Sequence, residues 1–126
     1  MDYSKMSDFE INCVVLAVFS PDIEHMCLSA DNSCFYDCGP SGDGWNQIDI
    51  PDYCNNPADA WPIIVERKIN IEWHEWKNSE WKSYALNNAT TKSYYDTNPL
   101  RAAMIVFLMM QELLNFPANS TGSDIR

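Results

Sequence analysis

The sequence predicts an α+β fold, an antiparallel sheet of two hairpins, about four strands in all, with three helices packed on its faces. Three observations carry this. A capped amphipathic helix opens the chain. Two stretches, His25 to Asp37 and Ile69 to Leu86, each read as strand, turn, strand. A very apolar helix begins at Asn98-Pro99. Two hairpins can join edge to edge, and helices then cover the apolar sheet faces that water would otherwise meet.

The first helix starts on Ser7-Asp8-Phe9-Glu10, a capping box in which the Ser7 hydroxyl and the Glu10 carboxylate satisfy each other's amides. It should run from Asp8 to about Val18, with Ile11, Val14, Val15 and Val18 on one face, and Ser20-Pro21 ends it. Strands are expected at His25 to Ser29 and Ser33 to Asp37, turned by Ala30-Asp31-Asn32. Cys38 to Gly44 reads as loop and Trp45 to Asp52 as irregular with a short extended piece.

Asn56-Pro57 is a helix start, with asparagine as cap and proline in the first turn. That helix reaches about Lys68. Pro62 leaves two readings: a kink at the proline, or a true start at Asp59 that places Pro62 in the tolerant first turn. Ile69 to Trp76 alternates as a half-buried strand, with Ile69, Ile71 and Trp73 on one face and Asn70, Glu72 and His74 on the other. Lys77-Asn78-Ser79 turns the chain into a second strand, Glu80 to Leu86, and Asn87 to Thr97 reads as a polar loop. The last helix spans Asn98-Pro99 to about Leu114. It is apolar nearly all round, so it must be covered on most sides.

At 126 residues the chain fits one domain, assigned to residues 1–116, followed by a tail at 117–126 whose Pro, Asn, Ser, Thr and Gly predict fraying. Apolar content of 46% is that of a globular protein. Eighteen acidic residues against eight basic ones give a net charge of −10, which repels nucleic-acid backbones, so no nucleic-acid partner is expected. The N-terminus has no signal-peptide pattern, and the longest apolar run, Ala102 to Met110, falls well short of the ~18 residues that span a bilayer. The expectation is a cytoplasmic protein with no membrane partner. An odd number of cysteines, five, then argues against a disulfide framework.

Little here has the spacing of catalysis. His25, Cys27, Cys34, Cys38 and Cys54 are zinc-type ligands, but the closest pair is Cys34-x-x-x-Cys38 and no tight knuckle forms. Asp37, Asp43 and Asp49 lack the order of a calcium loop. His74 has no partner histidine nearby in sequence, and there is no nucleophile elbow or phosphate loop. Neither catalytic residues, nor a metal site, nor a cofactor is assigned. One grouping suggests binding. Asn56 and Asn98 open two helices whose first amides are free to meet an anion, and Trp61, Tyr94, Tyr95 and Arg101 lie near those starts in sequence. These six residues are the candidate ligand site.

Three blocks carry a family resemblance: Asp8-Phe9-Glu10-Ile11-Asn12, the run from Asp52-Tyr53-Cys54-Asn55-Asn56-Pro57 through Ala60-Trp61-Pro62-Ile63-Ile64, and Asn98-Pro99-Leu100-Arg101-Ala102-Ala103-Met104. Together they resemble the phage NinX family over most of Ser7 to Leu114. The layout from Ala60-Trp61 to Arg101-Ala102-Ala103 is also similar to a wider group of phage α-β-α sandwich proteins. The Cys-rich stretch from His25 to Gly44 departs from the family pattern. The resemblance implies a phage or prophage accessory protein with helices on both sheet faces and no enzymatic activity.

The function expected is therefore binding: counter-defence by sequestering a small anionic, nucleotide-like host signal. The alternative is an acidic protein that binds and inhibits a host protein. A metal-dependent hydrolase ranks below both, because no carboxylates or histidines can be assembled into one pocket. Five tryptophans and six methionines leave room for an adhesive patch, so a homo-oligomer is also an expectation.

Overall fold

A computed structural model describes residues 1–38 and 46–115, with the side chain of residue 115 excepted. The α+β class holds: three α-helices accompany six strands among these residues. The strands form two three-stranded antiparallel sheets, not one sheet of about four strands. The chain divides into two compact units, Met1–Asp52 and Tyr53 onward.

In the first unit, α1 spans Asp8–Phe19 and the capping box forms as expected, Glu10 N donating to Ser7 Oγ at 3.1 Å and Ser7 N to Glu10 Oε1 at 2.8 Å. The buried stripe is Ile11, Asn12, Val15 and Leu16, while Val18 is exposed. The expected face is thus rotated toward Asn12. An asparagine can sit there because its Nδ2 donates to Asp52 Oδ1 at 3.0 Å, so its burial leaves no donor stranded. A short 3-10 turn at Pro21–His25 follows. Strands β1 (Cys27–Leu28), β2 (Cys34–Tyr36) and β3 (Gln47–Asp49) then pair in sequence order, with Leu28 opposite Phe35 and Phe35 opposite Ile48. The turn between β1 and β2 is built on Asp31, whose Oδ1 accepts from Ser33 Oγ, Ser29 Oγ and Ser33 N, with Asn32 in the left-handed region at φ 62°.

In the second unit, Asn56 caps α2 (Pro57–Glu66) by accepting from Ala58 N at 3.0 Å. The helix starts at Pro57 and Pro62 lies inside it, which deprives the Ala58 carbonyl of its helical donor. Both residues are exposed, so water can replace the lost bond. Strands β4 (Ile69–Glu75), β5 (Trp81–Asn87) and β6 (Lys92–Asp96) form an antiparallel meander in which Ile71, Ala85 and Tyr94 stand side by side. Helix α3, Pro99–Asn115, packs on this sheet and on α2. Its residues Ala102 to Leu108 are at most 2% exposed, so this stretch of the helix is enclosed all round, as its composition requires, while Glu112 to Leu114 are exposed.

One strand was missed: β6 lies inside the stretch read as polar loop, while β3 is the short extended piece expected between Trp45 and Asp52. Lys-Ser-Tyr-Tyr-Asp shows no apolar alternation. At an edge position, ladder bonds to β5 and packing of one face suffice to hold it.

Candidate functional site

The second unit contains a groove of about 750 Å³ at the joint where α2 hands over to β4. Trp61, Ile64 and Val65 come from α2, Arg67 and Lys68 from the joint, Asn87 to Thr90 from the β5–β6 turn, and Met110 from α3. Its size is within the range of small-molecule pockets. Lys68 stands at φ 56°, a left-handed kink that sends the chain from helix into strand.

One buried side chain sets this shape. Asn87 Nδ2 donates to the Arg67 carbonyl at 2.8 Å and, less closely, to the Lys68 carbonyl at 3.4 Å. Its Oδ1 accepts from Thr90 N at 2.8 Å and Thr90 Oγ1 at 2.7 Å. The α2–β4 joint and the β5–β6 turn are thereby pinned to each other across the groove.

The groove lining carries two cations, Arg67 and Lys68, against one carboxylate, Glu66, in a chain of opposite net charge. Arg67 and Lys68 are two of the eight basic residues. Lys68 Nζ donates to the Val65 carbonyl at 3.2 Å, near the end of α2. The Arg67 guanidinium lies 5.2 Å from the Phe107 ring centroid, within cation–π range. Its Nε is buried and meets no hydrogen-bond acceptor. The Glu66 carboxylate stands 3.8 Å away, close enough for charge attraction and too far for a hydrogen bond. Trp61, 60% exposed, brings an aromatic ring to the groove lining.

The six residues grouped from sequence do not converge on one site: the two helix starts come together, but Trp61 and Tyr95 stand apart from them. Trp61 alone lines the groove. Tyr94 and Tyr95 are consecutive in β6, so they face opposite sides of the sheet. Tyr95 belongs to a ring cluster on the side away from Ala85, where its hydroxyl meets His74 Nδ1 at 2.9 Å and its ring stacks 4.4 Å from that of Tyr84. Arg101 is engaged by Asp96, Nε to Oδ2 at 3.1 Å, with both side chains largely buried. Asn56 caps α2. Asn98 Oδ1 accepts from Leu100 N and Arg101 N, and its Nδ2 donates to the Cys54 carbonyl at 2.7 Å and to Asn55 Oδ1 at 3.2 Å. The two Asn-Pro helix starts are therefore neighbours in space, joined by these bonds.

The comparisons with known proteins agree with the layout. A family model described as bacteriophage P22 NinX matches residues 2–111. The chain belongs to the NinX family. Its fold is similar to that in a 2.0 Å crystal structure of a phage protein from Bacillus cereus ATCC 14579, with a TM-score of 0.54 at 16% identity, over 85% of this chain and 89% of that one. No curated protein matches it.

Within this NinX-family chain the groove residues Arg67, Lys68 and Asn87 escaped the sequence reading. Arg67-Lys68 stood in the sequence as an ordinary helix end, and Asn87 as the first residue of a loop. The cysteines differ from expectation in one respect. Cys27 and Cys38 form a disulfide, with Cα atoms 5.8 Å apart, across the β1–β2 hairpin. Counting cysteines could not reveal it, because the hairpin register is what brings the two together. Cys34 and Cys54 are buried, and burial followed by the charge of Glu10 pushes the Cys13 thiol upward. Among the described residues no three His, Cys, Asp or Glu side chains gather as a metal site would, and Asp43 lies outside those residues. No helix among them is long and apolar enough to cross a membrane.

Proposed function

We propose that this phage accessory protein acts without catalysis, by sequestering a small anionic, nucleotide-like host signal in the groove beside Asn87. One observation carries the reading. In a chain of net charge −10, Arg67 and Lys68 outnumber Glu66 in the lining of a groove of about 750 Å³ that an exposed tryptophan also borders. The Arg67 side chain is 30% exposed, and a phosphate oxygen would accept from its accessible part with charge assistance. Trp61 would offer its face to a base, and the Asn88 and Thr90 region would offer polar groups to a sugar.

The site proposed here is not the one grouped from sequence. Arg101 already holds Asp96, and the Asn98 amide already holds the stretch before α2. A ligand there would have to displace bonds that close the fold.

Melting the protein with mononucleotides, cyclic dinucleotides and uncharged nucleosides tests the reading. A ligand at a hundred times its Kd adds about 2.7 kcal/mol to the native state, so a phosphorylated ligand should raise the melting temperature by several degrees. Absence of any shift with every phosphorylated member would remove the proposal.

A further inference from the structure

Residues 72–81 read Glu-Trp-His-Glu-Trp-Lys-Asn-Ser-Glu-Trp, three Glu-Trp pairs within one hairpin. The structure turns this hairpin on Lys77–Ser79, with Asn78 at φ 66° and Ser79 at φ 61°. Trp73, Trp76 and Trp81 are 52%, 44% and 52% exposed. Register puts Trp81 directly opposite Glu75, while Trp73 stands opposite Ser83 one pair further along the same face. Trp73 and Trp81 are thus diagonal neighbours, close enough for large rings to form one surface. Glu75 shares the face of Trp73 and Trp81; Glu72 stands on the other face, 3.0 Å from His74 Nε2 and on the side where Trp76 meets Tyr95, and Glu75 and Glu80 are exposed. Trp76 already shows what such a ring accepts: the Lys82 ammonium lies 4.6 Å from its centroid.

Tryptophan is uncommon on surfaces and enriched where partners bind, and indole faces attract guanidinium and ammonium groups. The Glu75 carboxylate, paired across from Trp81, reinforces the same preference, and Glu80 adds charge at the hairpin's end. Lys77 and Lys82 are the cations of this hairpin, and Lys82 is engaged on Trp76. We propose that the end of the β4–β5 hairpin is a docking surface for a basic, arginine-bearing segment of a partner protein. Charge complementarity identifies the occupant. A second copy would bring the same three glutamates and a further net charge of −10 against this surface. This surface is separate from the groove beside Asn87, and neither proposal depends on the other.

The test uses the full chain and a fluorescent nona-arginine peptide, read by anisotropy at physiological salt. The double variant Trp73→Ala/Trp81→Ala, which leaves net charge untouched, should weaken binding about tenfold. Glu75→Gln/Glu80→Gln should weaken it more than Asp22→Asn/Glu24→Gln, which removes the same charge elsewhere. Both tryptophans are exposed, so circular dichroism should report an unchanged fold; the glutamate pair decides the matter if it does not. Equal weakening by the two charge-removing pairs would overturn the proposal, because attraction would then be bulk charge alone. So would unchanged affinity in the tryptophan variant. Light scattering that shows a dimer lost in that variant would make a second copy the occupant and would overturn it too.

Discussion

Asn87 Nδ2 donates to the backbone carbonyl of Arg67 across 2.8 Å, while the same side chain accepts from Thr90. One buried amide thus sets both the kink at the end of α2 and the turn after β5. Asn87→Ala would strand the Arg67 carbonyl and the Thr90 amide together. A buried group left unmatched costs about 1–3 kcal/mol, and a loss of about 2–4 kcal/mol is expected in urea denaturation. Asn87→Asp keeps the acceptor but sets a buried carboxylate oxygen against the Arg67 carbonyl, so it should lose at least as much.

The Asp96–Arg101 pair is expected to stabilise the fold and to contribute nothing to ligand binding. Asp96 also accepts from Asn98 N at 2.9 Å, so it braces the start of α3. Asp96→Ala leaves a largely buried guanidinium without that partner and should destabilise by about 2–4 kcal/mol, measured by chemical denaturation. Ligand affinity at saturating folded fraction should not change.

The Asp31 turn makes a sign-defined pH prediction. Hydrogen bonds from the Ser33 hydroxyl, then the Ser29 hydroxyl and the Ser33 amide, hold the Asp31 carboxyl below its ordinary value. A depressed carboxyl contributes stability above its unfolded pKa of about 3.9, and that contribution is lost as pH falls through the folded value. Carbon-detected NMR titration should place the Asp31 midpoint below that of an unstructured aspartate, and Ser33→Ala should move it back upward.

The cysteines give a direct chemical count. Under non-reducing denaturing conditions, alkylation should modify Cys13, Cys34 and Cys54 and spare Cys27 and Cys38. Intact mass after reduction should then show two further additions. In the folded state Cys13 should react slowly, since burial and Glu10 hold its thiol in the protonated form.

Much of the fold was legible because its signals are local. The Ser7–Glu10 box, the Asn-Pro starts, the Ile69 to Trp76 alternation and the apolar run at Ala102 all act within a few residues. β3 showed only as a short extended piece and β6 not at all, since edge strands take their conformation from the neighbour's backbone and carry no pattern of their own. The division into two sheets was hidden for the same reason. At the site, Trp61 was visible as an aromatic near a helix start, and it does line the groove. Arg101 looked available because its partner Asp96 lay in a stretch read as loop. Arg67 looked like a helix-end charge, and only the fold shows its Nε buried with no acceptor. Tyr94 and Tyr95 illustrate the difference most simply: adjacency in sequence becomes opposition once the stretch is a strand.

Isothermal titration of the full chain and its Arg67→Gln variant with the phosphorylated ligand that most raises the melting temperature tests the groove most directly. The wild-type chain should bind, the variant should bind at least about tenfold more weakly with its fold intact, and Trp61→Ala should also lose affinity. Binding of equal strength in the wild type and the Arg67 variant would contradict the groove as the site.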